Sequence, residues 1–216
     1  MEKKFKKLTG VVPLKIAEVG DCVQFGKIAW KVIGIESDKK LLLSKDCLSI
    51  DIEWEFGTEN QTDSTESIES MLSDILTETK LDYVAEFNHL KEYFSEWFCE
   101  KYFSQNDLER IIPHCIKVNN SSEKPFEDYV FILSEAEVEK YIPKKEDRIA
   151  TIGYDSDDDD ILDYIFEEII SKVKRPWLLR SDDPADYQIV VEIDGEIEKI
   201  PIGCICDTFR PAVWVK

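Results

Sequence analysis

The chain has 216 residues, 43% hydrophobic and 11% aromatic, enough apolar content for a packed core and too much for global disorder. Its 27 Lys and Arg against 46 Asp and Glu leave a formal charge of −19. That balance argues against direct binding to nucleic acid or to an anionic membrane; it favours a basic partner, or simply solubility through self-repulsion.

Residues 1–19 read as a basic, irregular lead-in. Lys3, Lys4, Lys6 and Lys7 imitate the start of a secretion signal, but Pro13 and Lys15 cut short the apolar run behind them. No stretch approaches the roughly 20 apolar residues of a membrane span. The six cysteines (Cys22, Cys47, Cys99, Cys115, Cys204 and Cys206) sit in a chain that is neither small nor visibly secreted. Reduced, mostly buried thiols and a cytoplasmic location are therefore expected.

The first strong pattern is a β-meander. Val23 and Phe25, then Ile28, Trp30 and Val32, alternate about Gly26-Lys27, which has the position of a hairpin turn. Glu36 to Lys39 is a second turn and Leu41 to Ser44 a third strand. Residues 51–79 hold nine acidic side chains and no basic one. Within them Ile68, Met71, Leu72, Ile75 and Leu76 mark one face of a short helix, capped by Asp63 with Glu66.

A denser stripe follows at Leu90, Tyr93, Phe94, Trp97 and Phe98, with Tyr102 one turn on; core is the preferred reading over a partner groove. Ser104 and Asp107 begin a short helix through Leu108, Ile111 and Ile112 that Pro113 ends. Residues 119–125 form a loop, and Tyr129 to Leu133 a buried strand. Ser134 with Glu137 is a capping box for a helix through Val138 and Tyr141. Asp157 to Asp160 then open a helix whose broad apolar face runs through Ile161, Leu162, Ile165, Phe166, Ile169, Ile170 and Val173. Its aspartates at one end and Lys172, Lys174 and Arg175 at the other match the helix dipole. Strands are expected around Ile189 to Val191 and in the closing Phe209 to Val215.

The closing motifs, Trp177-Leu178-Leu179-Arg180-Ser181 and Arg210-Pro211-Ala212-Val213-Trp214-Val215, resemble the end of a bacterial domain family of unknown function that reads "WWLRSP…GVRPALWL". The meander, the stretch Trp97 to Ser104 with Ile111, and Val130 to Ser134 with Val138, Tyr141, Arg148 and Ala150 also follow that family. The family is similar to the C-type-lectin-like fold, which includes the formylglycine-generating enzymes (sulfatase-modifying factors). The resemblance covers residues 20–49, 90–150 and 175–216. It implies an α+β, C-type-lectin-like domain spanning 20–216, with an N-terminal β-meander and helices packed on a twisted, mainly antiparallel sheet. The segments at about 50–86 and 155–174 depart from it and are read as acidic helical insertions.

Candidate chemistry is sparse. Asp155, Asp157 and Asp159 have the spacing of the first EF-hand ligands, but Asp160 stands where the turn needs glycine and Phe166 where the loop needs glutamate. Helix capping is preferred, and no metal or other cofactor is expected. Cys204 and Cys206 share a face if their segment is a strand, and could act in redox or soft-metal chemistry. Ordinary buried thiols are preferred. Cys99 or Cys115 with His89 or His114 could build a nucleophilic site only if brought together in space with an orienting group. None of the sequence patterns G-x-S-x-G, Walker A, G-x-G-x-x-G or H-E-x-x-H is present.

Arg180 and Arg210 lie beside Trp177 and Trp214, where an arginine pairs with a buried carboxylate or stacks on a ring. These four residues are read as a scaffold motif. In lectin-like folds the loops between late strands commonly bind, which makes Asp182, Asp183, Asp186 and Tyr187 the candidate ligand-facing patch. The expectation is a non-catalytic module that recognises a protein partner, a basic one fitting best, with a glycan second. The rivals are an enzyme related to the formylglycine-generating class using Cys204 and Cys206, and an acidic inhibitor or mimic that blocks a basic surface.

Overall fold

The computed structural model describes residues 10–49, 98–116, 126–152, 172–180, 187–201, 206 and 208–216. The expected helices within 50–86 and 155–171, the aromatic stripe up to Trp97 and the loop at 119–125 lie outside them.

The meander forms as its alternation requires. Strands β1 (Cys22–Phe25), β2 (Ile28–Glu36) and β3 (Lys39–Ser44) pair antiparallel, with Phe25 opposite Ile28 across the Gly26-Lys27 turn. Val23, Phe25, Trp30 and Val32 are buried, and Trp30 Nε1 donates to the Phe25 carbonyl at 2.7 Å. The lead-in is less irregular than its composition implies. Val11 bridges to Cys22, Leu14–Ile16 forms a 3-10 turn, and Ala17 is buried with Val12 and Leu14 packed nearby.

After β4 (Leu48–Ser49) come two short helices, α1 (Cys99–Tyr102) and α2 (Gln105–Leu108), the second capped reciprocally by Ser104 and Asp107. The helix expected to reach Ile112 stops at Leu108. Ile111 and Ile112 are a strand, β5. A two-residue strand has no periodicity of its own, and these residues gain their ladder partners from the far end of the chain. Strands β6 (His114–Ile116), β7 (Phe126–Asp128) and β8 (Phe131–Ile132) follow. The expected strand Tyr129 to Leu133 is thus shorter, with Tyr129 exposed at a bend. Helix α3 (Glu135–Tyr141) carries its predicted capping box.

The remaining strands are β9 (Ala150–Thr151), β10 (Lys174–Arg175), β11 (Trp177–Leu179), β12 (Tyr187–Val191), β13 (Ile197–Pro201), β14 (Thr208–Phe209) and β15 (Pro211–Val215). Lys174 and Arg175 are therefore in a strand paired with Thr151 and Ala150, not at a helix C-terminus. Val173, read as part of the apolar helix face, is exposed, and its carbonyl accepts from the Ile152 amide.

Two sheets organise these elements. One runs β1-β2-β3-β15-β5, with β8 also paired to β15; the other runs β13-β12-β11-β14-β4. The pairings are antiparallel apart from β11 with β14. The architecture is α+β, with mostly antiparallel sheets and few helices. In the first sheet the central strands β3 and β15 are buried on both faces, which explains their unbroken apolar runs at Leu41 to Leu43 and Pro211 to Val215. Leu42, Val213 and Val215 enter one core cluster with Trp30 and Phe98, while Leu41, Leu43, Ala212 and Trp214 enter the other with Trp177 and Leu179. Among the described strands the chain changes sheet four times, from β3 to β4, β4 to β5, β8 to β11 and β14 to β15.

Two glycines are required by close approach. Gly195 turns the β12–β13 hairpin at φ +89°, and a Cβ there would lie 2.0 Å from the Lys145 carbonyl oxygen. At Gly34, beside a bulge in β2, a Cβ would fall 2.8 Å from the Tyr141 ring, so glycine lets α3 lie down on the sheet.

Candidate functional site

The most concentrated polar chemistry among the described residues gathers on Glu137. The capping box sets its side chain back over the start of α3, where Oε2 accepts from the Ser134 amide at 2.8 Å and from Ser134 Oγ at 3.0 Å. The same oxygen accepts from Arg180 Nη2 at 2.9 Å. Oε1 lies 3.0 Å from His114 Nε2. An ionised carboxylate only accepts, so Nε2 carries the proton and donates. The His114 ring is stacked on Phe131 with centroids 4.3 Å apart. Burial pushes the Glu137 carboxyl up, but the His114 hydrogen bond, the Arg180 charge and the Ser134 amide outweigh it and hold the group at about 2.

Arg180 closes the cluster from β11. Its amide donates to the Leu133 carbonyl, which fixes the strand end against the start of α3. Its side chain is 7% exposed, and Nε and Nη1 are buried without a hydrogen-bond partner. In the sequence Glu137 is legible only as a capping residue. Its second role depends on β6 and β11 meeting at α3, which no local pattern announces.

The other arginine of the closing motif has the alternative environment. Arg210 lies over the Trp177 ring at 5.1 Å and donates to backbone carbonyls, through Nε and Nη2 to Ser44 and through Nη2 to Lys45. Burial lowers its proton affinity to about 10, against the Cys47 and Asp46 charges that raise it. Trp177 Nε1 in turn donates to the Arg148 carbonyl at 3.0 Å, and Arg148 Nε to the Ile142 carbonyl at 2.8 Å. Trp214 meets Tyr141 edge-on and carries Lys39 Nζ over its ring at 4.3 Å. The terminal motif thus braces the core through ring stacking, backbone carbonyls and one ion pair.

Of the expected ligand-facing patch, Asp182, Asp183 and Asp186 lie outside the described residues, as do Asp155, Asp157, Asp159, His89 and Cys204. Tyr187 heads β12 opposite Pro201 and is 51% exposed. Cys206 is buried, with its thiol 3.5 Å from the Thr208 carbonyl. Burial pushes the Cys47 thiol up to about 12 and the Cys99 thiol up to about 11, values that suit inert core thiols. Cys115 is exposed, on the strand of His114. Among the described residues no three His, Cys, Asp or Glu side chains are placed to share a metal ion, and no helix is long and apolar enough to cross a membrane.

The charge is unevenly distributed. The described residues carry equal numbers of Lys plus Arg and Asp plus Glu, so the whole excess of −19 belongs to the other segments. No family model, curated protein or solved structure matches the chain.

Proposed function

We propose that this chain is a non-catalytic binding module with a C-type-lectin-like frame, and that it recognises a protein partner. The contact surface comprises the segment between β11 and β12, with Asp182, Asp183, Asp186 and Tyr187, and the acidic face of an insertion. One observation carries the reading: Tyr187 is half exposed at the head of a strand whose next four residues are buried, and β11 on the other side of the segment is clamped to α3 through Arg180. A large exposed aromatic beside a rigid strand pair is a typical anchor for a partner. Confinement of the negative charge to segments outside the neutral scaffold favours a partner with a basic surface.

The test is affinity capture by the tagged chain at low and high salt, with mass spectrometry of the captured material. It should be run beside an Asp182→Asn, Asp183→Asn, Asp186→Asn variant and a Tyr187→Ala variant. A stoichiometric partner retained by the parent and lost by both variants is the expected result. A steep loss with salt would identify the acidic face as the main contact and bring the protein closer to an inhibitor of a basic surface. Capture indifferent to all four substitutions would overturn the assignment of the surface, and no stoichiometric capture would overturn the protein-partner reading.

A further inference from the structure

We propose that the outer edge of β13 receives an extended, basic segment of the partner protein as an added antiparallel strand. The inference deepens the binding-module reading, on which it rests for there being a protein partner at all.

Strand β13 is the last of its sheet. It pairs with β12 over five residues in unbroken register, and among the described residues nothing pairs with its other side. The hairpin turn settles which of its backbone groups face outward. The Glu192 amide donates to the Glu196 carbonyl, and the Gly195 amide to the Glu192 carbonyl, both at 2.8 Å. Bonded and non-bonded pairs alternate along an antiparallel ladder. With Glu192 bonded to Glu196, the next bonded pairs are Val190 with Glu198 and Gln188 with Ile200. Ile197, Lys199 and Pro201 therefore turn their backbone groups away from β12. Each offers a carbonyl, and all but the proline an N–H. The edge is open to solvent: Glu198, Lys199 and Pro201 are exposed, and Ile197 and Ile200 are half-buried.

Side chains choose the occupant. Of the antiparallel pairings between two copies of this chain, the one centred on Lys199 sets that lysine against itself. The one centred on Glu198 does the same with the glutamate, and like charges directly opposite are destabilising. A pairing centred on Ile200 engages only Lys199 and Pro201, and the proline has no N–H to give. An edge lysine and an edge proline are common protection against self-pairing. A partner segment is free of this symmetry. Glu196 and Glu198 share one face of the strand, Glu192 and Asp194 adjoin them at the turn, and Lys199 is the only basic residue of 187–201. Lys145 pairs with Glu196 at 3.0 Å and offsets one of these carboxylates. The remaining excess favours Lys or Arg opposite Glu198 and towards the turn. On the other face Ile197 and Pro201 flank Lys199, and Tyr187 lies exposed across the ladder from Pro201, so uncharged and apolar side chains suit the incoming strand there.

The probe is the acetylated, amidated hexapeptide VVTRVR, whose residues would run opposite Pro201 back to Glu196. Controls are VVTEVE and VVTRVR methylated on its threonine nitrogen, which can no longer donate to Lys199. The whole isotope-labelled chain is titrated, and backbone amide shifts and hydrogen exchange are read. The expected result is a saturable shift centred on β13, with exchange slowed at the outward Ile197 and Lys199 amides. Binding should be about tenfold or more weaker for either control. Lys199→Pro removes an outward donor while leaving the β12 ladder whole, and should weaken binding as much. Should that variant not fold, the methylated peptide tests the same bond from the other side. No saturable binding, shifts elsewhere than β13, or equal binding by either control would overturn the proposal. So would slow exchange at Ile197 and Lys199 before any peptide is added: it would show the edge filled by a second copy if it grows with concentration, and by the chain itself if it does not. The capture experiment reads the loop aspartates and Tyr187 without the peptide, so each reading can fail while the other stands.

Discussion

Arg180 Nη2 and Glu137 Oε2 lie 2.9 Å apart and join β11 to α3 through side chains that are mostly buried, 43 residues apart in sequence. Removing one partner of such a pair leaves an uncompensated charge, which is worse than removing both. Glu137→Gln should therefore destabilise the protein by about 3 kcal/mol, and adding Arg180→Met should recover part of the loss. Urea denaturation of the parent, the single and the double variant measures this. A double variant no more stable than Glu137→Gln would show that the pair's charge balance is not what matters.

Acid should act through the same carboxyl. Its ordinary value is 4.5 and the folded value about 2, so the unfolded chain takes up the proton first. The stabilisation is present above about pH 4.5 and is lost as pH falls towards 2, up to about 3 kcal/mol in all. Other acidic groups titrate in the same range. The difference between parent and Glu137→Gln isolates the contribution: their stability gap should narrow as pH drops from 6 to 3. A gap that stays constant would mean that Glu137 titrates alike in both states.

Thiol accessibility bears on the redox alternative. Cys47 and Cys99 are buried, with proton affinities pushed up by burial, whereas Cys115 is exposed. In the folded protein near neutral pH, iodoacetamide should modify Cys115 and leave Cys47, Cys99 and Cys206 unlabelled, as peptide mass spectrometry would show. Rapid labelling of Cys206 would contradict its buried position and revive interest in its pairing with Cys204.

At Gly195 the constraint is steric. The residue is left-handed at φ +89°, and a methyl group would collide with the Lys145 carbonyl. Gly195→Ala should cost about 2 kcal/mol or more. It should also loosen Arg148, whose Nη1 reaches the Gly195 carbonyl at 3.4 Å. Thermal denaturation should show a clear drop in Tm, and an unchanged Tm would mean that the hairpin relaxes without strain.

What could be read from the sequence was whatever is written locally. The meander announces itself because Val23, Phe25, Trp30 and Val32 alternate about a glycine turn, and both capping boxes lie within four residues. Ile111 and Ile112 have the spacing of a helix because they continue the apolar pattern of α2, yet they form β5. Their strand character comes from Val215 and Trp214, more than a hundred positions away. Lys174 and Arg175 matched the polarity of a helix end yet pair with Thr151 and Ala150. The two arginines of the closing motif show the same limit. Their neighbouring tryptophans suggest a carboxylate or a ring, and only assembly gives Glu137 to Arg180 and the Trp177 face to Arg210. The meeting of His114, Glu137 and Arg180 joins three separated segments and left no trace in any spacing.

Arg210 also bears on the order in which the protein can be built. Its bonds reach Ser44, 166 positions earlier, at the point where β3 gives way to β4, while Arg210 itself stands between β14 and β15. A single guanidinium thus ties together two of the places where the chain changes sheets. Until residues 208–215 leave the ribosome, β3 lacks its neighbour and Leu41 to Leu43 have no partner strand on that edge. Contacts of such long range close slowly. The meander should therefore keep an unfinished edge until those residues have emerged, and their arrival should join the two sheets together.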